Sequence, residues 1–239
     1  MSNFSGLASL AGVDLSAQGA SLNKVMGIIE SREFVKHLIT FDNVLPSLMA
    51  AQSFNANTKE IIFDDEIYNH ETKSWVRDAP ANRSVVPSYI EAHKEYSEMI
   101  SMTKDRLTGH VSLKVEHVSP IFAKEFLSLV INEANNVQRN IDVDSSTKAL
   151  LYLRDQLSRT PQVEIRDSIS KLIENQLETQ MMASIHDDYV LMTLEPPFTP
   201  ERKSGPIRSL IVILSTLVGG LLSASIVLVR EYFLSLIHI

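Results

Sequence analysis

From Ser209 to Val229 the chain reads SLIVILSTLVGGLLSASIVLV, a run with neither a charge nor a proline, bracketed by Arg208 and Arg230. At about 1.5 Å per residue such a helix reaches roughly 31 Å, the thickness of a bilayer's hydrocarbon core. A helix that is apolar all round and flanked by arginines is expected to span a membrane rather than lie in a water-soluble core. The N-terminus carries no matching export signal. Its first basic residue is Lys24, Asp14 comes earlier, and Gly6 to Val13 is short and weakly apolar. Arg202, Lys203 and Arg208 precede the run and only Arg230 follows it, so charge counting places the preceding body in the cytoplasm. The other reading is an upstream transmembrane helix that carries the body across.

Ahead of that run the text reads as one α+β body with a small mixed sheet and long amphipathic helices. Leu7 to Val13 (LASLAGV) is small and apolar without a period, and Ser21 to Leu38 steps as one or two short helices through Val25, Ile28, Ile29, Phe34, Val35 and Leu38. Ile61 to Phe63 and the polar stretch Asn69 to Arg83, with Trp75 and Pro80, read as loop with short extended pieces. Pro87 opens a helix that ends near Ile100. Ile100 and Met102, then Val111, Leu113, Val115 and His117, alternate at period two around Asp105 to Gly109, which predicts a β-hairpin turning at Gly109.

Ser119-Pro120 is an N-cap and first-turn pair for a long helix with Phe122, Phe126, Leu129, Val130, Val137 and Ile141 on one stripe, continuing to about Ser158. Pro161 ends it. Ile165, Ile169, Leu172, Ile173, Leu177 and Met181 then mark a second amphipathic helix, to pack on the first or on another subunit. Tyr189 to Leu194 (YVLMTL) reads as a strand returning to the hairpin's sheet. Pro196, Pro197, Pro200 and Pro206 make a stiff extended connector over 196–208.

The chemistry visible in the sequence is sparse. A net charge of −7 excludes a basic stripe for duplex nucleic acid, and the absence of cysteine removes thiolate catalysis, disulfides and cysteine-bound zinc. The eight glycines form no GxxxxGK[ST] cradle, so phosphoryl transfer has no seat, and no GxSxG elbow supports a hydrolase triad. His110 and His117, at an odd spacing on a proposed strand, point to opposite faces and make no shared metal site. Asp64, Asp65 and Glu66 read as solvated surface rather than a calcium loop. Asn82-Arg83-Ser84 fits a glycosylation sequon that arises often by chance. No catalytic residue, cofactor or metal is therefore expected. In the apolar run Ser215, Gly219 and Ser223, beside Gly220 and Ala224, form two small-residue rows; they read either as a helix-packing face or as ordinary small-residue usage.

Read in order, Leu7 to Val13, Ser31 to Leu38 (SREFVKHL), Tyr68 to Asp78 (YNHETKSWVRD), Val115 to Pro120 (VEHVSP) and His186 to Arg208 resemble the Wzz family of polysaccharide co-polymerases, over nearly the whole chain. The resemblance implies a non-enzymatic inner-membrane regulator of O-antigen or related surface-polysaccharide chain length. It further implies a periplasmic domain over 1–195, the connector, a second transmembrane helix over 209–229 and a short tail over 230–239. Protomers would form a homo-oligomeric ring working with the membrane polysaccharide polymerase, lipid-linked glycan and membrane lipid. The family's first membrane helix does not precede this sequence, so the body is expected to be N-terminally incomplete, with orientation set by that helix. Leu234 to Ile239 (LSLIHI) resembles adapter read-through rather than a functional tail. Competing readings are a co-polymerase of exopolysaccharide or capsule export, a tail-anchored interaction protein and a membrane-anchored hydrolase.

Overall fold

The computed structural model describes residues 15–79, 81–185, 188–200 and 208–237, with side chains for 22–79, 81–185, 188–200 and 211–227. Leu7 to Val13, Pro80, His186, Asp187 and Pro206 lie outside the described residues. The chain divides into two units, Met1–Thr199 and Pro200–Ile239.

The first unit opens with α1 (Leu15–Ile29), α2 (Arg32–Leu38) and α3 (Val44–Ala50). The break between α1 and α2 is set by Ser31, whose Oγ accepts the Phe34 N–H at 3.2 Å and starts a new helix. Two small antiparallel ladders follow. Strand β1 (Ala51–Asn55) pairs β2 (Glu60–Phe63) with a bulge between Ala51 and Ser53, and β3 (Tyr68–Asn69) pairs β4 (Ser74–Trp75). Helix α4 (Tyr89–Met99) begins at a reciprocal capping box between Ser88 and Glu91.

Helix α4 runs straight into β5 (Ile100–Lys104), which pairs antiparallel with β6 (Val111–Val115). Ile100 faces Val115 and Met102 faces Leu113, so the period-two residues share the inner face. Gly109, at φ 75°, closes the turn by donating its N–H to Asp105 O at 2.9 Å. Ser119 then caps α5 (Pro120–Arg159), accepting the Phe122 N–H at 3.2 Å, with Pro120 in the first turn. Pro161 separates α5 from α6 (Val163–Ile185), which folds back along it.

The core gathers Val25 and Ile29 of α1, Phe34, Val35 and Leu38 of α2, Ala92 and Tyr96 of α4, and Phe126, Val130 and Ala134 of α5. Tyr96 is 1 % exposed and donates its hydroxyl to Ile29 O at 2.9 Å, which satisfies the one polar atom it brings inside. Phe126 stacks on Phe122 at 5.2 Å and meets Tyr96 edge-on at 6.1 Å. The α5 contribution to this core lies near the start of that helix. Further along, the buried residues are the polar Asn135 and Gln138, then Ser146 and Leu150, on α5, and Ile169 and Ala183 on α6, so the far part of the helical pair is a two-helix layer.

The described chain is α+β, and four sequence expectations need correction. The small mixed sheet is instead three separate two-stranded antiparallel ladders among the described residues. Tyr189 to Leu194 is not a strand: described backbone there joins no ladder, because the side chain of Asn135 takes the hydrogen bonds of Val190 and Leu191. His110 and His117 fall outside β6, at its two ends. In the second unit, α7 (Arg208–Ile237) is helical, yet among the described residues no helix is long and apolar enough to cross a membrane. The expected transmembrane helix over 209–229 is thus corrected to an apolar helix.

Candidate functional surfaces

The α5–α6 pair buries little of its own apolar surface. On α6 the side turned to α5 holds Ile169 at 9 % exposure and Ala183 at 1 %. At about 100° per residue, Val163, Met181 and Ile185 point away from that side and Leu177 lies on its flank, and all four are exposed. On α5, Ile141 and Tyr152 share one direction and are 50 % and 64 % exposed, with Leu151 beside them at 65 %. The sequence stripe Ile165 to Met181 is therefore only partly used within one chain. A polar tie crosses the pair from Gln180 Nε2 to Thr147 Oγ1 at 2.8 Å.

The root of α5 is held by polar side chains. Asn135 is 2 % exposed and accepts the N–H of Val190 at 3.1 Å and of Leu191 at 2.8 Å, while its amide donates to Leu191 O at 3.1 Å. It supplies to one strand-like segment what a neighbouring strand would. Two turns on, Asp142 Oδ2 accepts from Gln138 Nε2 at 2.9 Å and from the Tyr189 hydroxyl at 3.0 Å. Burial, reinforced by the Asp142 carboxylate, pushes the Tyr189 phenol up to about 12. His37 Nε2 meets Glu133 at 2.6 Å, tying α2 to the same helix.

Between β6, α5 and residues 190–198 lies a groove of about 620 Å³, whose walls include Val111, Leu113, Leu127, Ile131, Leu194 and Phe198. Pro196 and Pro197 line it, and Pro200 lies two residues beyond Phe198 in backbone that is neither helix nor strand. These connector prolines thus border an apolar groove. The contact boundary between the units falls at Thr199–Pro200, inside the connector expected over 196–208.

The loop before α4 is fixed by charge. Arg77 forks onto Glu91 with both contacts at 3.1 Å and donates to the carbonyls of Val85 at 2.8 Å and Ser84 at 2.9 Å. Arg83, the middle residue of the sequon, adds a third contact to Glu91 at 3.2 Å. The Arg77 guanidinium, with the Ser88 N–H and Arg83 assisting, holds the Glu91 carboxyl down at about 2. Sequence reading missed this cluster and the Asn135 clamp. The only forward signal for the first was the Ser88…Glu91 spacing, and an asparagine on a helix carries none for the second.

Among the described residues, none packs closely against the two glycines of α7. Ser215, Gly219, Gly220, Ser223 and Ala224 are exposed, and added Cβ atoms at the two glycines would meet open space. Ser215 and Ser223 donate their hydroxyls to their own helix, to Val212 O and Gly220 O. Among the described residues no group of His, Asp or Glu is arranged to hold a metal. Asp64 is engaged in its own turn, accepting the Glu66 N–H at 2.9 Å.

No protein-family model matches the chain, and no curated protein is significantly similar to it.

Proposed function

We propose that this chain is the body of an oligomeric, non-enzymatic regulator of O-antigen or related surface-polysaccharide chain length. It would stand on the periplasmic side of the bacterial inner membrane beside the polysaccharide polymerase and its lipid-linked glycan. The observation that supports this most is the exposed apolar face of α6 with its counterpart on α5. Val163, Leu177, Met181 and Ile185 on α6, and Ile141 and Tyr152 on α5, are exposed large apolar residues of a kind that monomers rarely leave to water in such number along one helical pair. Side-by-side packing of copies along these helices would bury them and produce a ring, as the resemblance to the Wzz family implies. Length control would then follow from glycan or polymerase contacts that differ in strength between states of the assembly.

Two measurements test the reading. Light scattering after size-exclusion chromatography should give a closed oligomer for the wild type and smaller species for Met181→Glu/Ile185→Glu, with far-UV circular dichroism unchanged. Deleting the gene in its host should leave surface glycan made but with an altered length ladder on a gel. A wild-type monomer at every concentration, or polymer lost outright, would overturn the proposal. Protease access in spheroplasts separates periplasmic placement from the cytoplasmic interaction-protein reading.

A further inference from the structure

His117 sits where β6 hands over to α5, and its ring links three elements. Its Nε2 lies 2.9 Å from Ser47 O of α3. Its Nδ1 lies 3.0 Å from the backbone N of Ser119, the N-cap of α5. An amide nitrogen only donates and a carbonyl only accepts, so this pattern requires the neutral ring with hydrogen on Nε2. The ring also packs on Phe122 with centroids 4.5 Å apart.

We infer that His117 is a proton-released latch at the root of α5: the neutral ring locks Ser47, β6 and the Ser119 cap together, and protonation lets that junction open. Three features disfavour the imidazolium here. A proton on Nδ1 would face the Ser119 N–H, turning an acceptor into a donor against a donor. The Ser119 carbonyl is a poor alternative, 3.4 Å away and already accepting the Ala123 N–H at 3.0 Å. The positive charge would also stand at the N-terminus of a long helix, where the helix dipole opposes it. Burial acts in the same direction and lowers the ring's affinity for a proton.

Among the described residues, no carboxylate contributes to the shift of His117. Helix α3 carries no titratable residue. Near the end of β6, Lys114 and Glu116 pair with each other at the surface. On the first turns of α5, Lys124 and Glu125 are exposed, and so is Glu195 on the segment leading to Thr199, which bonds Pro120 O. After β2, the Asp64 carboxylate accepts from Glu66 N, with Asp65 and Glu66 beside it. The sign follows. With its folded-state affinity for a proton depressed, His117 supports the junction above the imidazole's ordinary range of about 6.5, and that support is lost as pH falls below it.

The test uses the full chain labelled with ¹⁵N-histidine. Two-bond nitrogen–proton spectra should show His117 as the Nε2–H tautomer at pH 7.5, titrating below ordinary imidazole. Hydrogen exchange corrected for intrinsic rates should show protection of the Ser119 to Phe122 amides falling about tenfold per pH unit once the ring titrates. In His117→Asn, Oδ1 can still accept the Ser119 N–H across two residues but cannot titrate, so the same amides should change less than about twofold. An Nδ1–H tautomer, flat protection in the wild type from pH 7.5 to 5, or a pH response retained in His117→Asn would overturn the inference. If the asparagine variant does not fold, the wild-type tautomer and protection data decide alone.

Discussion

Asn135 gives the sharpest quantitative test of how this fold closes. Its carboxamide makes three hydrogen bonds to the backbone of Val190 and Leu191, and Leu191 itself is 9 % exposed. In Asn135→Ala all three are lost, and water has little access to replace them at Leu191. At about 1 kcal/mol per bond, with the extra cost of a buried N–H and C=O left without partners, the loss should be about 3 to 5 kcal/mol. Asn135→Asp keeps the shape and both accepted bonds but sets a carboxylate oxygen against Leu191 O. It should cost about 2 kcal/mol at pH 7, equivalent to a carboxyl pKa raised by about one and a half units in the folded state. A raised folded-state pKa means the deficit is present at neutral pH and shrinks as pH falls through that value, because the protonated acid regains a donor. Urea unfolding followed by far-UV circular dichroism, with each variant compared with wild type at the same pH, reads both effects at constant m-value. A cost below about 1 kcal/mol for the alanine variant, or an aspartate deficit that does not change between pH 7 and 4, would refute the account of Asn135 as a surrogate strand.

Glu91→Ala should cost about 2 to 4 kcal/mol in the same assay, because it strips the partner from Arg77 and removes half of the α4 capping box. Since Glu91 titrates near 2 in the fold and near 4.5 otherwise, its contribution is complete above about 4.5 and drains away as pH falls toward 2, a slope that Glu91→Gln should flatten. Phe126→Ala, emptying the stack between Phe122 and Tyr96, should cost about 3 to 5 kcal/mol by chemical denaturation. Gly109→Ala should cost about 1 kcal/mol with no new clash, because only its positive φ, and not crowding, excludes a side chain there; a neutral result in thermal melts would show that the turn relaxes.

Elements whose signals were local were legible in the sequence. The Ser119-Pro120 start of α5, the stop at Pro161, and the β5–β6 hairpin around Gly109 each follow from turn, cap or period rules acting within a few residues. Tyr189 to Leu194 went wrong for a physical reason. An apolar six-residue run reports burial, and the choice between a neighbouring strand and a clamping side chain is made by Asn135, far away in sequence and mute about its partner. The α6 stripe raised the opposite difficulty. Its apolar residues were read correctly as a helix face, but periodicity does not say how much of that face one chain covers, and here Ile169 and Ala183 take only the narrow side. The apolar run after Arg208 was legible as a helix, whereas its passage across a bilayer was not borne out: among the described residues no helix is long and apolar enough to cross a membrane.

These observations share a cause. Ladders of two strands are too small to organise connectors into a sheet, and each is marginal by itself. The long stretches that a sheet would normally capture are therefore held one by one: 77–88 by Glu91 and Arg77, 190–191 by Asn135, and the β6–α5 junction by His117. Each clamp joins a connector to a helix through one or two side chains, Glu91 at the start of α4, His117 before the start of α5 and Asn135 further along α5. Two of the three involve titratable groups with depressed proton affinity, Glu91 at the start of α4 and His117 before the start of α5, so acid weakens each over its own pH range.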